Sequence, residues 1–171
     1  MKNIAIFASG SGTNAENIIR YFSNRNSAKV VLVLSNRREA GVLKRAEALG
    51  INTHIFDRNA FYITGSVLDH LIKSKIDFIV LAGFLWLVPD DIIKLYEGRI
   101  INIHPALLPA YGGKGLYGDK VHNSVILNNE KESGITIHFV NNKYEERDIK
   151  FQAKCKVELS DTPGKNARAH D

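Results

Sequence analysis

The sequence is poor in the residues that build disulfide or metal frameworks, since it holds a single cysteine, Cys155. One cysteine excludes an internal disulfide network and a multi-cysteine metal site. Long hydrophobic runs are missing as well. The longest nearly uncharged apolar segment, residues 78–89, is about half as long as a membrane-spanning helix. We therefore predict a buried strand and its following loop there, and no membrane-spanning segment.

The excess of positive over negative charge is also small, because 23 Lys and Arg against 18 Asp and Glu leave a net charge of only +5. Such an excess is compatible with an anionic ligand but is too small to demand nucleic acid. The N-terminus leads into a short apolar segment and a Gly/Ser loop, so no export signal is expected. We predict a cytoplasmic protein that binds small molecules and neither nucleic acid nor membrane. Its 171 residues fit one domain, 1–171.

Apolar segments typical of buried strands alternate with segments of helical period over the first two thirds of the chain. The predicted strands are residues 4–7, 30–34, 53–56, 78–81 and 100–103. Helices are predicted between them, the second ending at Gly50, and two further strands follow at residues 135–140 and 151–157 after a helix around 121–127. This order predicts an α/β fold with a doubly wound, mostly parallel Rossmann-like sheet and an antiparallel C-terminal part.

A glycine loop, Gly10-Ser11-Gly12-Thr13-Asn14-Ala15, joins the first predicted strand to the first helix. Glycines let backbone N–H groups approach an anion, and the helix N-terminus adds partial positive charge. Thr13 or Asn14 is predicted to cap the helix. The loop also has the form of a dinucleotide fingerprint, but Arg37 and Arg38 stand near the position of the ribose-binding acid. The absence of an acid at that position argues against NAD binding. NADP binding stays open, as does a tight turn that binds no ligand.

Asn102 and His104 project from the same face of the fifth predicted strand, because side chains alternate along a strand. A lone histidine after a strand is often structural. An amide and an imidazole together where a parallel strand ends instead favour a catalytic site.

The loop after the fourth strand contains Phe84, Leu85, Trp86 and Leu87, which predict either core or an apolar slot for a flat ring ligand. The glycines at 112–115 do not form a phosphate-binding P-loop, because no strand directly precedes them and no Ser or Thr follows Lys114.

Taken together, three segments resemble a known family: Ser9-Gly10-Ser11-Gly12-Thr13-Asn14, Leu81-Ala82-Gly83-Phe84 and Asn102-Ile103-His104-Pro105-Ala106-Leu107-Leu108-Pro109. Their order and spacing, with residues 134–140 after them, resemble the folate-dependent phosphoribosylglycinamide formyltransferases of the formyltransferase superfamily. The match covers residues 1 to about 162. Members continue through a C-terminal helix, which the resemblance implies is missing or truncated here.

The resemblance implies formyl transfer from 10-formyltetrahydrofolate, as co-substrate and without a metal, to the amine of phosphoribosylglycinamide in purine biosynthesis. It implies a monomer or weak dimer. The catalytic residues would be His104, Asn102 and Glu145. The substrate phosphate would be held by Gly12, Thr13 and Asn14. The folate would contact Arg58, Leu85, Trp86, Leu87, Val88, Asn102, Asn141, Asn142, Lys143, Tyr144 and Glu145.

Two positions depart from the family pattern, which has aspartate where Glu145 stands and in many members glycine where Arg147 stands. A carboxylate displaced by one methylene can cost about 10²-fold in rate, so impaired activity is one expectation. The open alternatives are a different amine acceptor and a module that binds folate and phosphate without catalysis.

Overall fold

The structure, a computed structural model, describes residues 1–104, 132–140 and 149–156, with side chains for residues 1–103 and 137–140. The chain divides into two compact units, Met1–Ile101 and Asn102–Asp171. The predicted helix around residues 121–127 lies outside the described residues.

Strands and helices alternate in the first unit, as the sequence predicts. Its elements are β1 (Lys2–Phe7), α1 (Thr13–Ser23), β2 (Ala28–Ser35), α2 (Gly41–Ala48), β3 (Asn52–Ile55), a π-helical turn (Asn59–Ile63), α3 (Ser66–Lys73), β4 (Phe78–Ala82), α4 (Asp90–Leu95) and the start of β5 (Ile100–His104).

The strands of this unit lie in the order β3-β2-β1-β4, and all the pairings are parallel. The sheet grows from β1 toward β2 and β3 on one side and toward β4 on the other. In open α/β sheets, the crevice beyond the carboxyl ends of the strands at such a reversal is where ligands bind. The loops that follow β1 and β4 therefore meet at the expected ligand-binding edge.

The core explains why these segments form strands and helices. Ile4, Ala5, Ile6 and Phe7 are all buried, as expected for a parallel strand covered on both faces. In α3, Val67 and Leu71 are fully buried. Gly50 follows α2 with φ +76°, which confirms its predicted role as the glycine beyond a helix C-terminus.

In the second unit, β5 neighbours β6 (Glu132–Phe139), and β6 neighbours β7 (Ile149–Lys156). β6 and β7 are antiparallel, with an irregularity in register between Ile137 and His138. The predicted antiparallel C-terminal part is confirmed. No helix among the described residues is long and apolar enough to cross a membrane.

Two histidines stack at the edge of the first unit, with the ring centroids of His54 and His70 4.2 Å apart. Burial lowers the pKa of His54 below its ordinary 6.5, and the like charge that His70 can carry lowers it further. A depression of about 670 Å³ adjoins them, lined by His70, Glu47 and Thr53 among others. None of the predicted site residues lines this depression.

We expect this pair to make the stability of the protein sensitive to acid. A histidine whose pKa is lower in the folded than in the unfolded protein costs no stability at a pH above its unfolded pKa, where it is neutral in both states. As the pH falls below the unfolded pKa, the unfolded protein binds the proton more readily than the folded one, and the folded state loses stability. The free energy of unfolding should therefore decrease as the pH falls from about 7.5 to about 5.5. Urea unfolding of the parent and of His54→Phe, which keeps a stacking ring but cannot titrate, tests this. Equal losses in both proteins would contradict it.

Candidate active site

The glycine loop closes against α2 so tightly that only glycine fits at position 12. Gly12 has φ +83°, and a Cβ placed there would lie 2.5 Å from Cγ2 of Val42. Gly12 is also the residue that precedes α1, and no side chain caps this helix. The predicted cap by Thr13 or Asn14 is wrong, because the helix begins at Thr13 itself. The backbone N–H groups of the first turn are thus left without a side-chain cap, as an anion site requires.

Arg45 of α2 fixes the orientation of this loop. Its Nε donates to the Ser11 carbonyl oxygen at 2.8 Å, and the Val42 N–H donates to the Gly10 carbonyl oxygen at 3.0 Å. In a trans peptide the N–H points away from the carbonyl oxygen of the same unit. Holding the Ser11 oxygen on Arg45 therefore turns the Gly12 N–H away from the guanidinium group.

The acidic residue in the first turn of α1 is neutralised by neighbouring cations. Glu16 pairs with Arg45 at 3.1 Å and with Arg20 at 3.3 Å. Hydrogen bonds from Arg45 and then Arg20 lower the pKa of Glu16 below its ordinary value. Its negative charge is therefore offset where the helix start would receive an anion.

Side chains alternate in direction along the loop that follows β4. Phe84 is buried, and its ring lies 5.3 Å from that of Phe7 in the core. Leu85 and Leu87 are 43% and 58% exposed. Phe84 therefore belongs to the core, and the two leucines present exposed apolar surface, whereas the slot for a flat ring ligand stays a prediction.

Trp86 packs inward on an aromatic cluster, with its ring about 6 Å from those of Phe56, Phe61 and Tyr62. The guanidinium carbon of Arg58 lies over the Trp86 ring, 4.5 Å from its centroid. This is within the range of a cation–π interaction. Arg58 and Trp86, which sequence reasoning placed in the same folate-binding set, thus lie together.

The π-helical turn Asn59–Ile63 was not predicted, and it brings Tyr62 to this loop. The Tyr62 hydroxyl donates to the Leu87 carbonyl oxygen at 2.6 Å, and burial raises the pKa of this tyrosine. A local signal existed in Asp57, whose carboxylate accepts the Ala60 N–H at 2.8 Å in the manner of a turn-forming aspartate.

In the second unit, the amide of Asn102 is oriented by His138, which is fully buried. Asn102 Nδ2 lies 3.4 Å from His138 Nε2, and His138 Nδ1 lies 3.3 Å from the Phe139 carbonyl oxygen. The two ring nitrogens of His138 thus lie within hydrogen-bonding distance of the Asn102 amide and of the Phe139 carbonyl oxygen. Sequence reasoning missed this role of His138, although the residue lies in the 134–140 segment that it singled out.

The backbone of β5 places Asn102 and His104 two residues apart on the same strand, and so on one face. The His104 side chain, the loop residues Asn141–Glu145 and Arg147 lie outside the described residues. Arg37 pairs with Glu39 at 3.1 Å on the surface. Among residues 1–103 and 137–140, no three His, Cys, Asp or Glu side chains cluster closely enough to hold a metal ion.

Comparisons with known proteins agree with the geometry. The family model of formyl transferases matches residues 2–170. The chain is 39% identical, over 98% of its length, to phosphoribosylglycinamide formyltransferase of Arabidopsis thaliana, and 33% identical, over 95%, to the Bacillus subtilis protein of that name. It spans 59% of the Arabidopsis protein and 83% of the Bacillus protein.

Solved structures of similar proteins share the fold. The crystal structure of phosphoribosylglycinamide formyltransferase from Bacillus halodurans superposes with a TM-score of 0.84 at 35% identity, covering 98% of this chain and 87% of that one. The corresponding protein from Brucella melitensis gives 0.84 at 36% identity, covering 98% and 86%. The family match over nearly the whole chain and these superpositions show that the chain belongs to the formyl transferase family.

Proposed function

We propose that the protein transfers the formyl group of 10-formyltetrahydrofolate to the amine of phosphoribosylglycinamide, a step of purine biosynthesis. The observation that carries the proposal is the meeting of two loops at the carboxyl ends of β1 and β4. There the Ser9 N–H donates to the Gly83 carbonyl oxygen at 3.1 Å. This contact places the glycine loop after β1, which is suited to a phosphate, beside the loop after β4, which is suited to a flat ring. Relatives bearing the name of this activity support it.

At the phosphate end, we assign binding to Gly12, Thr13 and Asn14. The N-terminus of α1 supplies uncapped N–H groups and the positive end of an 11-residue helix. Arg45 contributes indirectly, by holding the Ser11 carbonyl oxygen and neutralising Glu16.

At the folate end, Leu85 and Leu87 supply exposed apolar surface beside Trp86 and Val88. Arg58 supplies a cation for the carboxylates of the folate tail, and Trp86 keeps its guanidinium group in place. Asn141, Asn142, Lys143, Tyr144 and Glu145 are assigned to the formyl donor on the resemblance alone.

The chemistry follows from the residues assigned to β5 and to the 141–148 segment. The substrate amine attacks the formyl carbon, and negative charge develops on the formyl oxygen. Asn102 donates a hydrogen bond to that oxygen, while protonated His104 stabilises the charge of the tetrahedral intermediate. When the intermediate collapses, the bond between the formyl carbon and N10 of the folate breaks, and N10 takes a proton from His104, so that tetrahydrofolate leaves. The attacking amine gives up a proton in return, which restores His104 and leaves the formyl group on the substrate. The Glu145 carboxylate favours the protonated form of His104.

We also infer a cytoplasmic monomer or weak dimer whose partners are its two small-molecule substrates, without nucleic acid or membrane. The small net charge of +5 and the single cysteine support this inference. The Arabidopsis relative is described as chloroplastic, a statement that applies to that protein.

Formyl transfer by the purified full chain tests the proposal. The protein is incubated with 10-formyltetrahydrofolate and phosphoribosylglycinamide, an amino sugar nucleotide or methionyl-tRNA, and the formylated products are measured by mass spectrometry. We expect phosphoribosylglycinamide to be formylated in preference to the other two. Preference for another acceptor would correct the substrate, and transfer to none, by the parent or by Glu145→Asp, would overturn the activity. Calorimetric binding of both substrates without product would instead indicate a binding module.

Replacing Arg58 with alanine is expected to raise KM for 10-formyltetrahydrofolate about tenfold or more, because a charge-assisted contact to the folate carboxylates is lost. The kcat should change little, since the contact is the same in the ground state and the transition state. Arg25→Ala is the matched control, because Arg25 also lies over an aromatic ring, 3.6 Å from the centroid of Tyr21, but at the far end of α1. Equal KM values in both variants would contradict the assignment of Arg58.

A further inference from the structure

A buried serine joins the ends of three strands at the ligand-binding edge. Ser9 is 2% exposed and directly follows β1 and Ala8. Its hydroxyl donates to Asn36 Oδ1, beyond the end of β2, at 2.6 Å. The same hydroxyl accepts the N–H of Leu85, beyond the end of β4, at 3.0 Å.

These side-chain bonds continue the sheet past its last backbone pairings. The Ala8 N–H donates to the Leu34 carbonyl oxygen at 3.0 Å, and the Ser9 N–H donates to the Gly83 carbonyl oxygen at 3.1 Å. Beyond Gly83 the chain leaves the strand direction with φ +71°, so the N–H of Leu85 has no strand to pair with. The Ser9 hydroxyl provides its partner.

The bond to Leu85 sets the direction of the next side chains. The loop places Phe84 and Trp86 inward and Leu85 and Leu87 outward. It is held at its start by Ser9 and two residues later by the Tyr62 hydroxyl on the Leu87 carbonyl oxygen. Releasing the first of these contacts lets the peptide before Leu85 rotate, which moves the leucine and the neighbouring indole.

We propose that Ser9 is a positioning residue that fixes the 84–88 loop for folate and couples it to the glycine loop. The inference rests on the proposed function, because it takes this loop as the folate surface. Ser9 precedes Gly10 directly, so one hydroxyl fixes the spacing between the two binding loops. The glycine loop has independent supports in the bonds from Val42 and Arg45. Loss of the Ser9 hydroxyl should therefore affect the folate much more than the nucleotide.

The test compares Ser9→Ala with the parent in two ways. Trp86 is the only tryptophan in the chain, so fluorescence of the free protein reports on this loop directly. We expect a shifted emission maximum in Ser9→Ala. We also expect the Kd for 5-formyltetrahydrofolate and the KM for 10-formyltetrahydrofolate to rise about tenfold, with KM for phosphoribosylglycinamide changing less than about threefold.

Ser35→Ala is the matched control. Ser35 is equally buried at the end of the adjacent strand β2, but its hydroxyl accepts only a local N–H, that of Arg37, at 3.1 Å. This variant should lose stability without changing Trp86 emission or folate affinity. Ser9→Thr, which keeps the hydroxyl, should restore both. If Ser9→Ala does not fold, Asn36→Ala removes the acceptor of the same hydroxyl and should change emission and folate affinity in the same direction.

The outcomes separate this inference from the proposed function. A parent that does not bind 5-formyltetrahydrofolate would overturn the folate site and this inference with it. A parent that binds, with unchanged emission and affinity in the folded Ser9→Ala or Asn36→Ala variant, would overturn the role of Ser9 alone. Equal changes in the two substrate KM values, or equal effects of Ser35→Ala, would show general loosening and also overturn it.

Discussion

Replacing Asn102 with aspartate is expected to lower kcat by about 10²- to 10³-fold, the usual cost of removing one donor to a developing oxyanion. The carboxylate has nearly the same shape as the amide but cannot donate, and its negative charge opposes the charge on the formyl oxygen. Because the lost bond strengthens only in the transition state, both KM values should change much less than kcat. Steady-state rates with both substrates saturating measure the effect.

Two observations decide whether the loss of kcat in Asn102→Asp comes from the loss of the amide hydrogen-bond donor. Asn3→Asp is the control for the same chemical change, since the Asn3 amide donates to the Lys75 carbonyl oxygen near the start of β1. It should leave kcat within about twofold of the parent, as expected for a surface contact of small energy. An Asn102→Asp variant that keeps more than about a tenth of the parent kcat would contradict the oxyanion assignment.

Replacing Gly12 with alanine should lower the free energy of unfolding by about 2–5 kcal/mol, because left-handed strain and a steric clash act together. The new Cβ would lie 2.6 Å from Cα of Val42, an atom that cannot move unless α2 moves. Such a shift also disturbs the peptide that Arg45 orients. Affinity for the nucleotide should therefore fall with stability, as urea unfolding and calorimetry with phosphoribosylglycinamide would measure.

Two other glycines separate the causes. Gly65 precedes α3 as Gly12 precedes α1, with φ +72°, but a Cβ there meets nothing within 4 Å. Gly65→Ala should cost only the backbone strain, about 1–2 kcal/mol. At Gly10 a Cβ also meets nothing within 4 Å, and the φ is not positive. Gly10→Ala should change stability least, and a Gly12→Ala cost no larger than that of Gly65→Ala would contradict the proposed clash.

The helix boundary at the glycine loop shows why sequence reasoning failed where it did. Thr13 and Asn14 are good capping residues, and the sequence predicts that one of them precedes the helix. The structure instead starts α1 at Thr13, after Gly12, which has a left-handed backbone and lies so close to Val42 of α2 that a Cβ would not fit. That contact joins residues thirty positions apart in the sequence. Local capping preferences contain no information about it.

The aromatic segment after β4 shows what apolar composition can and cannot predict. Apolar composition and position beyond a strand end predict a surface for a flat ligand, and Leu85 and Leu87 are indeed exposed. Composition does not reveal that Phe84 belongs to the core or that Trp86 supports Arg58. The burial of Phe84 and the position of Trp86 depend on contacts with Phe56, Phe61 and Tyr62, which lie in a different part of the chain.

The sequence by itself determined the order of strands and helices over residues 1–104, the parallel sheet with its antiparallel end, and the segments that carry Gly12, Trp86 and Asn102. It could do so because burial on both faces of a strand leaves a continuous apolar run in the sequence, and burial on one face of a helix leaves apolar residues at helical spacing. The tertiary structure alone decided how those segments are held, through Ser9, Arg45 and His138. Each of these side chains bonds a residue 34 or more positions away, where no local period can predict the pairing.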